Sequence, residues 1–311
     1  MALSRALPSL RQLRHLVALA DARHFGRAAE ATHVSPSALS DSIKELERLL
    51  DATLVDRAKR RVTLTPVGEA TVERARRLVA DAEALTRAAS AAKAPLTGTL
   101  RLGVIPTVAP FLLPPVLPGL RRAYPDLRLF LTEDLTGNLV RPLHEGRLDL
   151  LLLALPYDAG AVETAVLFDD AFLLALPRGH ELARFDRVPA ACIPSDELLL
   201  LRDGHCLTDH ALAACRLTGR RAAAEFEATS LHTLVQMVAN GLGVTLLPAM
   251  AVRAGLLRGT GLVARAIDGA GDSAGAVRQI GLMWRRGAPG QAEYRLLGDE
   301  ITGRWRAGST S

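Results

Sequence analysis

The run Asp203-Gly204-His205-Cys206 ends on a cysteine that opens the helical pattern Leu207 to Leu217, and a second cysteine, Cys215, follows nine positions on. Asp203-Gly204 is a turn signal, so the spacing predicts Cys206 in the first turn of a helix. There the helix dipole and the adjacent imidazole of His205 both favour thiolate over thiol, and the thiolate is the reactive form. Nine residues of unbroken helix rise about 13 Å, whereas a disulfide needs its Cα atoms within about 7 Å. The pair closes only if the helix refolds locally, which suits a switch better than a staple. The competing reading is that both are small buried hydrophobes. Cys192 follows Ala190-Ala191 with no charged neighbour and is read as structural. A metal site built from His205, Cys206 and Cys215 lacks a fourth ligand and any Cys-x-x-Cys spacing, so neither a metal nor a cofactor is expected.

The elements that position these residues must come from a chain of 311 residues, 49% hydrophobic, with mean hydropathy +0.17. That is enough for two or three cored domains. The net charge is +5, and residues 1–66 hold eleven Lys/Arg against seven Asp/Glu, so +4 of it lies in the first fifth of the chain. A basic excess confined to a small N-terminal unit points to phosphate contacts there. Three cysteines make no disulfide framework, and Met1 to Arg5 lead into a polar helix instead of a secretory core. No apolar run reaches the roughly 20 residues of a membrane span, so a cytoplasmic protein with reduced thiols and no membrane partner is expected.

Three helical patterns follow in quick succession. Leu10, Leu13, Leu16, Val17 and Ala20 recur at helical spacing, Gly26 to Ala31 is a short small-residue helix, and Ser35-Pro36 opens a third. Ser35 suits an N-cap and Pro36 the first helical position. Leu39, Ile43, Leu46 and Leu50 form one stripe of that helix, leaving Ser37, Ser40, Asp41 and Lys44 on the outward face, within reach of bases or phosphates. A short helix, a tight turn and a longer helix make a helix-turn-helix, whose second helix enters the major groove of double-stranded DNA. Arg57, Lys59, Arg60 and Arg61 then lead into Val62-Thr63-Leu64-Thr65-Pro66, a basic hairpin able to lie along the backbone as a wing.

The runs His24-Phe25-Gly26-Arg27-Ala28-Ala29-Glu30, Val34-Ser35-Pro36-Ser37-Ala38-Leu39-Ser40, Ile43-Lys44-Glu45-Leu46-Glu47, Leu54-Val55-Asp56-Arg57 and Leu64-Thr65-Pro66-Val67-Gly68 resemble the N-terminal domain of LysR-type transcriptional regulators. The resemblance adds Arg27 to the DNA-binding set. Pro36 and Ser42 stand where that family usually has Gln, so its base-specific contacts do not transfer. Asp41 repels phosphate, and its use at DNA would be to accept from a cytosine amino group.

Residues 67 to about 92 contain no Gly or Pro after Gly68 and read as one long helix with Val72, Leu78, Val79 and Leu85 as its main apolar positions. So sparse a stripe suits packing against a second copy, and the resemblance implies the same dimerising linker. Ala94-Pro95-Leu96-Thr97-Gly98 marks a boundary. The expected domains are 1–66, a winged helix-turn-helix; 67–94, the linker helix; and 95–305, a regulatory domain.

Beyond the boundary, strand-like runs 100–105, 127–131, 148–154, 172–176, 198–201, 224–228, 244–247 and 280–284 alternate with helical stretches, which predicts parallel βαβ units. The fold class is therefore α/β with an all-α winged helix-turn-helix in front. The regulatory part is expected as two α/β lobes, similar to the family's effector domain and to periplasmic solute-binding proteins.

Gly103 to Pro114, Leu167-Phe168-Asp169-Asp170, Asp203-Gly204-His205-Cys206-Leu207, Cys215 and Ala228-Thr229-Ser230-Leu231 together look like the branch of the family that senses hydrogen peroxide. That resemblance implies that Cys206 is oxidised to a sulfenic acid and that Cys215 resolves it as a disulfide. It also places Thr107, Thr136, His205 and Asp209 in the peroxide pocket. Thr208 stands where the branch carries an arginine that helps hold the thiolate, leaving that charge to His205, the helix N-terminus or Arg285. The partners implied are DNA, peroxide, a thiol reductant, RNA polymerase, and further copies of the chain in a homodimer that pairs into a homotetramer. Two alternatives remain open. One is a regulator binding a metabolite between the lobes through Thr107, Thr229 and Ser230. The other is a thiol peroxidase, which the DNA-binding segment argues against, so no enzyme is expected.

Overall fold

The computed structural model describes residues 7–56, 62–91, 95–202, 206–215, 228–268 and 276–308, with 87–91, Cys206 and Ala214 described by their backbone alone. Two compact units result: residues 1–90 with 142–147 and 288–290, and the remainder.

The first unit opens with α1 (Leu10–Ala22), α2 (Phe25–Ala31) and α3 (Pro36–Leu50). Ser9 and Gln12 form a reciprocal capping box on α1, and the Ser35 hydroxyl accepts from Ala38 N at 3.2 Å to start α3 with Pro36 in its first turn. Such a cap contributes about 1 kcal/mol. Leu16, Leu19, Leu39, Ile43 and Leu46 are fully buried in the core these helices share, each adding roughly 1.5–3 kcal/mol. Leu50, expected in the same stripe, is exposed. The short pair β1 (Val55–Asp56) and β2 (Thr63–Leu64) closes antiparallel, Val55 opposite Leu64 and Asp56 opposite Thr63. This is the stem of the expected wing, whose Arg57, Lys59, Arg60 and Arg61 lie outside the described residues. The linker is α4 (Pro66–Ala91). Its stripe divides, contrary to expectation: Val72 and Ala75 enter the core of their own unit and Val79 packs against it, while Leu78 and Leu85 stay exposed. A helix leaving a small domain spends its first turns completing that domain's core.

The second unit is a mixed α/β structure. Its first half is β3 (Gly98–Val104), α5 (Ala109–Ala123), β4 (Leu127–Glu133), α6 (Thr136–His144) and β5 (Leu150–Leu155). β6 (Val162–Pro177) leads to β7 (Arg187–Pro189), β8 (Leu198–Leu199), α7 (Cys206–Ala214), α8 (Leu231–Ala239), β9 (Val244–Pro248), α9 (Ala249–Arg253), β10 (Leu262–Asp268), β11 (Val277–Arg285) and α10 (Gln291–Ala307). Parallel pairing holds for β3 with β4 and β5, as the alternating pattern predicts. It holds also for β8 with β9 and for β7 with β10, but β11 runs antiparallel between β5 and β6, and β6 is antiparallel to β9 and β10. The two expected lobes share β6, whose first part pairs with β11 and whose last residues pair with β9 and β10. The strand expected at 224–228 lies outside the described residues except for Ala228, which bridges Leu201. Cys192, read as structural, is exposed in a short 3-10 turn and packs no core.

Candidate functional site

Parallel β3 and β4 are in register with Val104 opposite Glu133, and Val104 also pairs with Leu152 on β5. Thr107 lies three residues past the end of β3, Thr136 three residues past the end of β4, and Pro156 directly after β5. All three therefore stand at one carboxyl edge, where open α/β sheets hold their ligands. Antiparallel β11 brings its start to the same edge, because Gln279 pairs with Leu155.

Arg278, next to Gln279, is the hub of this edge. Its guanidinium donates from Nη1 to Thr107 Oγ1 and from Nη2 to the Thr107 carbonyl, each at 3.0 Å. Nε donates to Asp170 Oδ2 at 3.1 Å, and Asp170 Oδ1 accepts from Met250 N at 2.9 Å. The side chains of Arg278 and Asp170 are 0% and 4% exposed. Burial pushes the Asp170 carboxyl above its ordinary value, while Arg278 and the Met250 N–H pull it back. Thr107 is buried, and because its hydroxyl oxygen accepts from Arg278, its own proton is directed elsewhere. The Thr136 hydroxyl is buried with no hydrogen-bond partner among the described residues.

Helix α7 begins at Cys206 and ends with Cys215 N donating to Ala211 O at 3.0 Å. The helix is unbroken across the cysteine pair, so the two Cα atoms stand about 13 Å apart along its axis. Leu207 and Cys215 are buried, and burial alone pushes the Cys215 thiol up to about 11. It is a poor nucleophile until exposed. Thr208 donates its hydroxyl to Leu201 O at 3.0 Å, anchoring the first turn of α7 to the strand-like segment beside β8. His210 Nε2 lies 3.0 Å from Pro156 O, which ties α7 to the carboxyl edge.

Of the expected pocket residues, Thr107 and Thr136 stand at this edge, which α7 reaches through His210. Thr208 is present as an anchor, Asp209 is exposed on the helix, and His205 lies outside the described residues. Arg285 is a correction: it pairs opposite Val162 at the far end of β11, roughly 23 Å from Arg278 along the strand at about 3.3 Å per residue. The buried cation at the Thr107 edge is Arg278, which sequence reasoning missed. A signal existed, since strand alternation back from buried Ile280 puts residue 278 on the inward face.

In the first unit, the residues expected at DNA share the outward side of α3 and its cap. Ser35, Pro36, Ser37, Asp41 and Lys44 are exposed, Ser40 half-buried. Ser37 Oγ lies 3.0 Å from Ser35 Oγ, and Lys44 pairs with Asp41 at 3.3 Å, which moderates that carboxylate's repulsion of phosphate. Arg27 is exposed and donates to Ala22 O at 2.7 Å. Ser42 turns inward, its hydroxyl 2.8 Å from Nδ1 of buried His15 on α1. Burial, then Arg11 and Arg14, hold His15 below its ordinary value.

Residues 10–69 match the family described as "Bacterial regulatory helix-turn-helix protein, lysR family", and residues 93–306 match "LysR substrate binding domain". The chain belongs to the LysR family of bacterial transcriptional regulators. Among individual relatives, it is 45% identical over 295 residues to a "Probable hydrogen peroxide-inducible genes activator" of Streptomyces viridosporus, covering 94% of this chain and 93% of that one. It is 40% identical over 295 residues to the "HTH-type transcriptional regulator EstR" of Acinetobacter baylyi, covering 94% and 96%. Among solved structures, a hydrogen-peroxide-bound cysteine-to-serine variant of OxyR from Corynebacterium glutamicum matches with TM-score 0.65 and 33% identity, over 98% of this chain and 95% of that one.

Proposed function

We propose that this regulator senses hydrogen peroxide through Cys206 and transmits oxidation to its DNA-binding unit. The observation that carries the reading is the buried Asp170–Arg278–Thr107 network at the carboxyl edge that α7 touches through His210. Arg278 supplies there the positive charge that the missing arginine at position 208 does not. The Thr107 hydroxyl, polarised by Arg278, donates to a peroxide oxygen, and Thr136 offers a second hydroxyl.

The Cys206 thiolate attacks one peroxide oxygen, the O–O bond breaks, and the departing oxygen takes up a proton to leave as water. Sulfur, oxidised by two electrons, becomes a sulfenic acid. The Cys215 thiol then displaces a second water from that sulfur to give a disulfide, which a thiol reductant later reverses. Because α7 separates the pair and burial keeps Cys215 protonated, resolution requires α7 to open. That opening is the two-state change available for transmission. Identity alone does not select the effector, since EstR is nearly as similar. The metabolite alternative is weakened at its proposed carboxylate donors, because Ser230 already caps α8, accepting from Thr233 N at 3.2 Å.

Replacing Thr107 by Val keeps the shape and removes only the hydroxyl. Loss of peroxide alignment is expected to slow Cys206 oxidation by about 10- to 1000-fold, read by stopped-flow against peroxide concentration. An unaltered rate would leave Thr107 as a strand-end residue and remove it from the site.

The DNA-binding unit reads its operator through Ser40 and Lys44 on α3, with the cap at Ser35 and the wing lying on phosphates. Replacing Arg60 and Arg61 by Ala is expected to weaken specific and random duplexes alike and to reduce the salt slope by about one phosphate contact each. An unchanged slope takes the wing off the DNA. The exposed Leu78 and Leu85 on α4 support pairing with a second copy, in a cytoplasmic assembly of dimers that engages RNA polymerase. Among the described residues no helix is long and apolar enough to cross a membrane.

A further inference from the structure

Among the described residues, α7 is fastened to its surroundings by a short apolar stripe and two side-chain hydrogen bonds. The stripe is Leu207, Ala211 and Cys215, and only Leu207 brings a large apolar side chain to it. At nine residues α7 is also shorter than the roughly 12–15 that an isolated helix needs to persist in water. The two hydrogen bonds tie it to different strands. Thr208 donates to Leu201 O at 3.0 Å, beside β8, and His210 lies 3.0 Å from Pro156 O, just past β5. A carbonyl only accepts, so the neutral His210 ring carries its proton on Nε2 and keeps Nδ1 as a bare acceptor. That Nδ1 is buried with no hydrogen-bond partner among the described residues. Seating the ring therefore makes one bond and strands one acceptor, and the desolvation of that acceptor is recovered when the helix opens. The closed position of α7 is held by a narrow margin.

We infer that His210 and Thr208 are positioning residues of the switch, two latches that keep α7 closed after Cys206 is oxidised and so set how fast Cys215 reaches it. The inference rests on the Cys206–Cys215 reading proposed above. Both latches lie between the two cysteines, inside the segment whose ends must come from about 13 Å apart to within about 7 Å. Cys215 starts in the buried stripe, and its N–H is bonded to Ala211 O, so the last turn of α7 has to come apart. Disulfide closure is then a local opening followed by chemistry, and its rate scales with the fraction of molecules that are open. A bond made only in the closed helix lowers that fraction, and removing it raises the fraction.

Attack on peroxide takes place at the head of the closed helix and needs no opening. The latches therefore act on the lifetime of the sulfenic acid and leave its formation alone. The chemistry of closure is complete without them. The Cys215 sulfur forms the S–S bond as the S–O bond of the sulfenic acid breaks, and the departing oxygen takes up the thiol proton to leave as water.

The test separates the two rates in the full chain. Reduced protein is mixed with enough hydrogen peroxide to complete the first step early and quenched at intervals with dimedone and a thiol block, and sulfenic acid and disulfide are counted by peptide mass. His210→Ala and Thr208→Val should each form the disulfide about 5-fold faster than wild type, the factor expected from losing one net hydrogen bond. His210→Gln, whose amide can still donate to Pro156 O, should resolve at close to the wild-type rate. In a Cys215→Ser background, which has no resolution step, His210→Ala should form sulfenic acid at the parent rate. Unchanged resolution in both His210→Ala and Thr208→Val overturns the inference. So does a His210→Gln that resolves as His210→Ala does, or sulfenic acid formation that changes in step with resolution. Should His210→Ala not fold, Thr208→Val, which keeps the shape of its side chain, decides alone. A wild type that forms no disulfide overturns the Cys206–Cys215 reading itself, whereas variants that resolve at the rate of a resolving wild type overturn the latches only.

Discussion

Replacing Arg278 by Met is expected to lower the stability of the regulatory unit by about 3–5 kcal/mol, because it leaves the Asp170 carboxylate buried without its cation. Both tryptophans, Trp284 and Trp305, lie in that unit, so fluorescence-detected urea unfolding of the full chain reports it without contribution from the DNA-binding unit. Adding Asp170→Asn, which removes the stranded charge and keeps an acceptor for Met250 N, should restore part of the loss. The pH dependence has a definite sign. Burial already raises the Asp170 carboxyl, and loss of Arg278 raises it further, so the folded state binds this proton more tightly than the unfolded state does. The destabilisation is then fully present above the raised value and is relieved as pH falls through it. The same variant should oxidise slowly, since Thr107 loses the donor that orients its hydroxyl. A stability change under about 1 kcal/mol would mean that the network contributes little to the fold and that Thr107 is held by its backbone alone.

The second large effect is an asymmetry between cysteines. Cys206→Ser should abolish the response to peroxide, whereas Cys215→Ser should react once and accumulate sulfenic acid, and Cys192→Ser should behave as wild type. The buried, protonated Cys215 cannot initiate the reaction, and exposed Cys192 has no element bringing it to the carboxyl edge. Dimedone adducts located by peptide mass, with peroxide-dependent DNA footprints alongside, read both halves. Equal loss of response in the Cys206 and Cys215 variants would favour a cleft regulator without thiol chemistry.

Local features were legible in the sequence wherever a short range of residues decides them. Ser35-Pro36 announces α3 because capping and proline geometry act within one turn, and the stripe Leu39, Ile43, Leu46 follows from helical period. The strands β3, β4, β5 and β9 and the helices α5 to α8 follow from pattern in the same way. Partners chosen across the fold were hidden. The expected strand begins at 172, after Asp169-Asp170, yet both lie inside β6, where Asp170 finds Arg278 more than a hundred residues away. Arg285 was one candidate cation because it stands in the Trp284-Arg285-Arg286 run, but β11 carries it to the end of the strand away from Thr107. The antiparallel insertion of β11 between β5 and β6 depends on the chain returning from its C-terminal end, which no local periodicity encodes.

The central claim is that peroxide drives one specific disulfide across a helix that must open to allow it. Its most direct test is to treat the reduced full chain with one equivalent of hydrogen peroxide, block remaining thiols, and map peptides without reduction. The account predicts a cross-linked pair joining Cys206 to Cys215, with Cys192 recovered as the blocked thiol. Recovery of all three cysteines as blocked thiols, or a cross-link that includes Cys192, would contradict it.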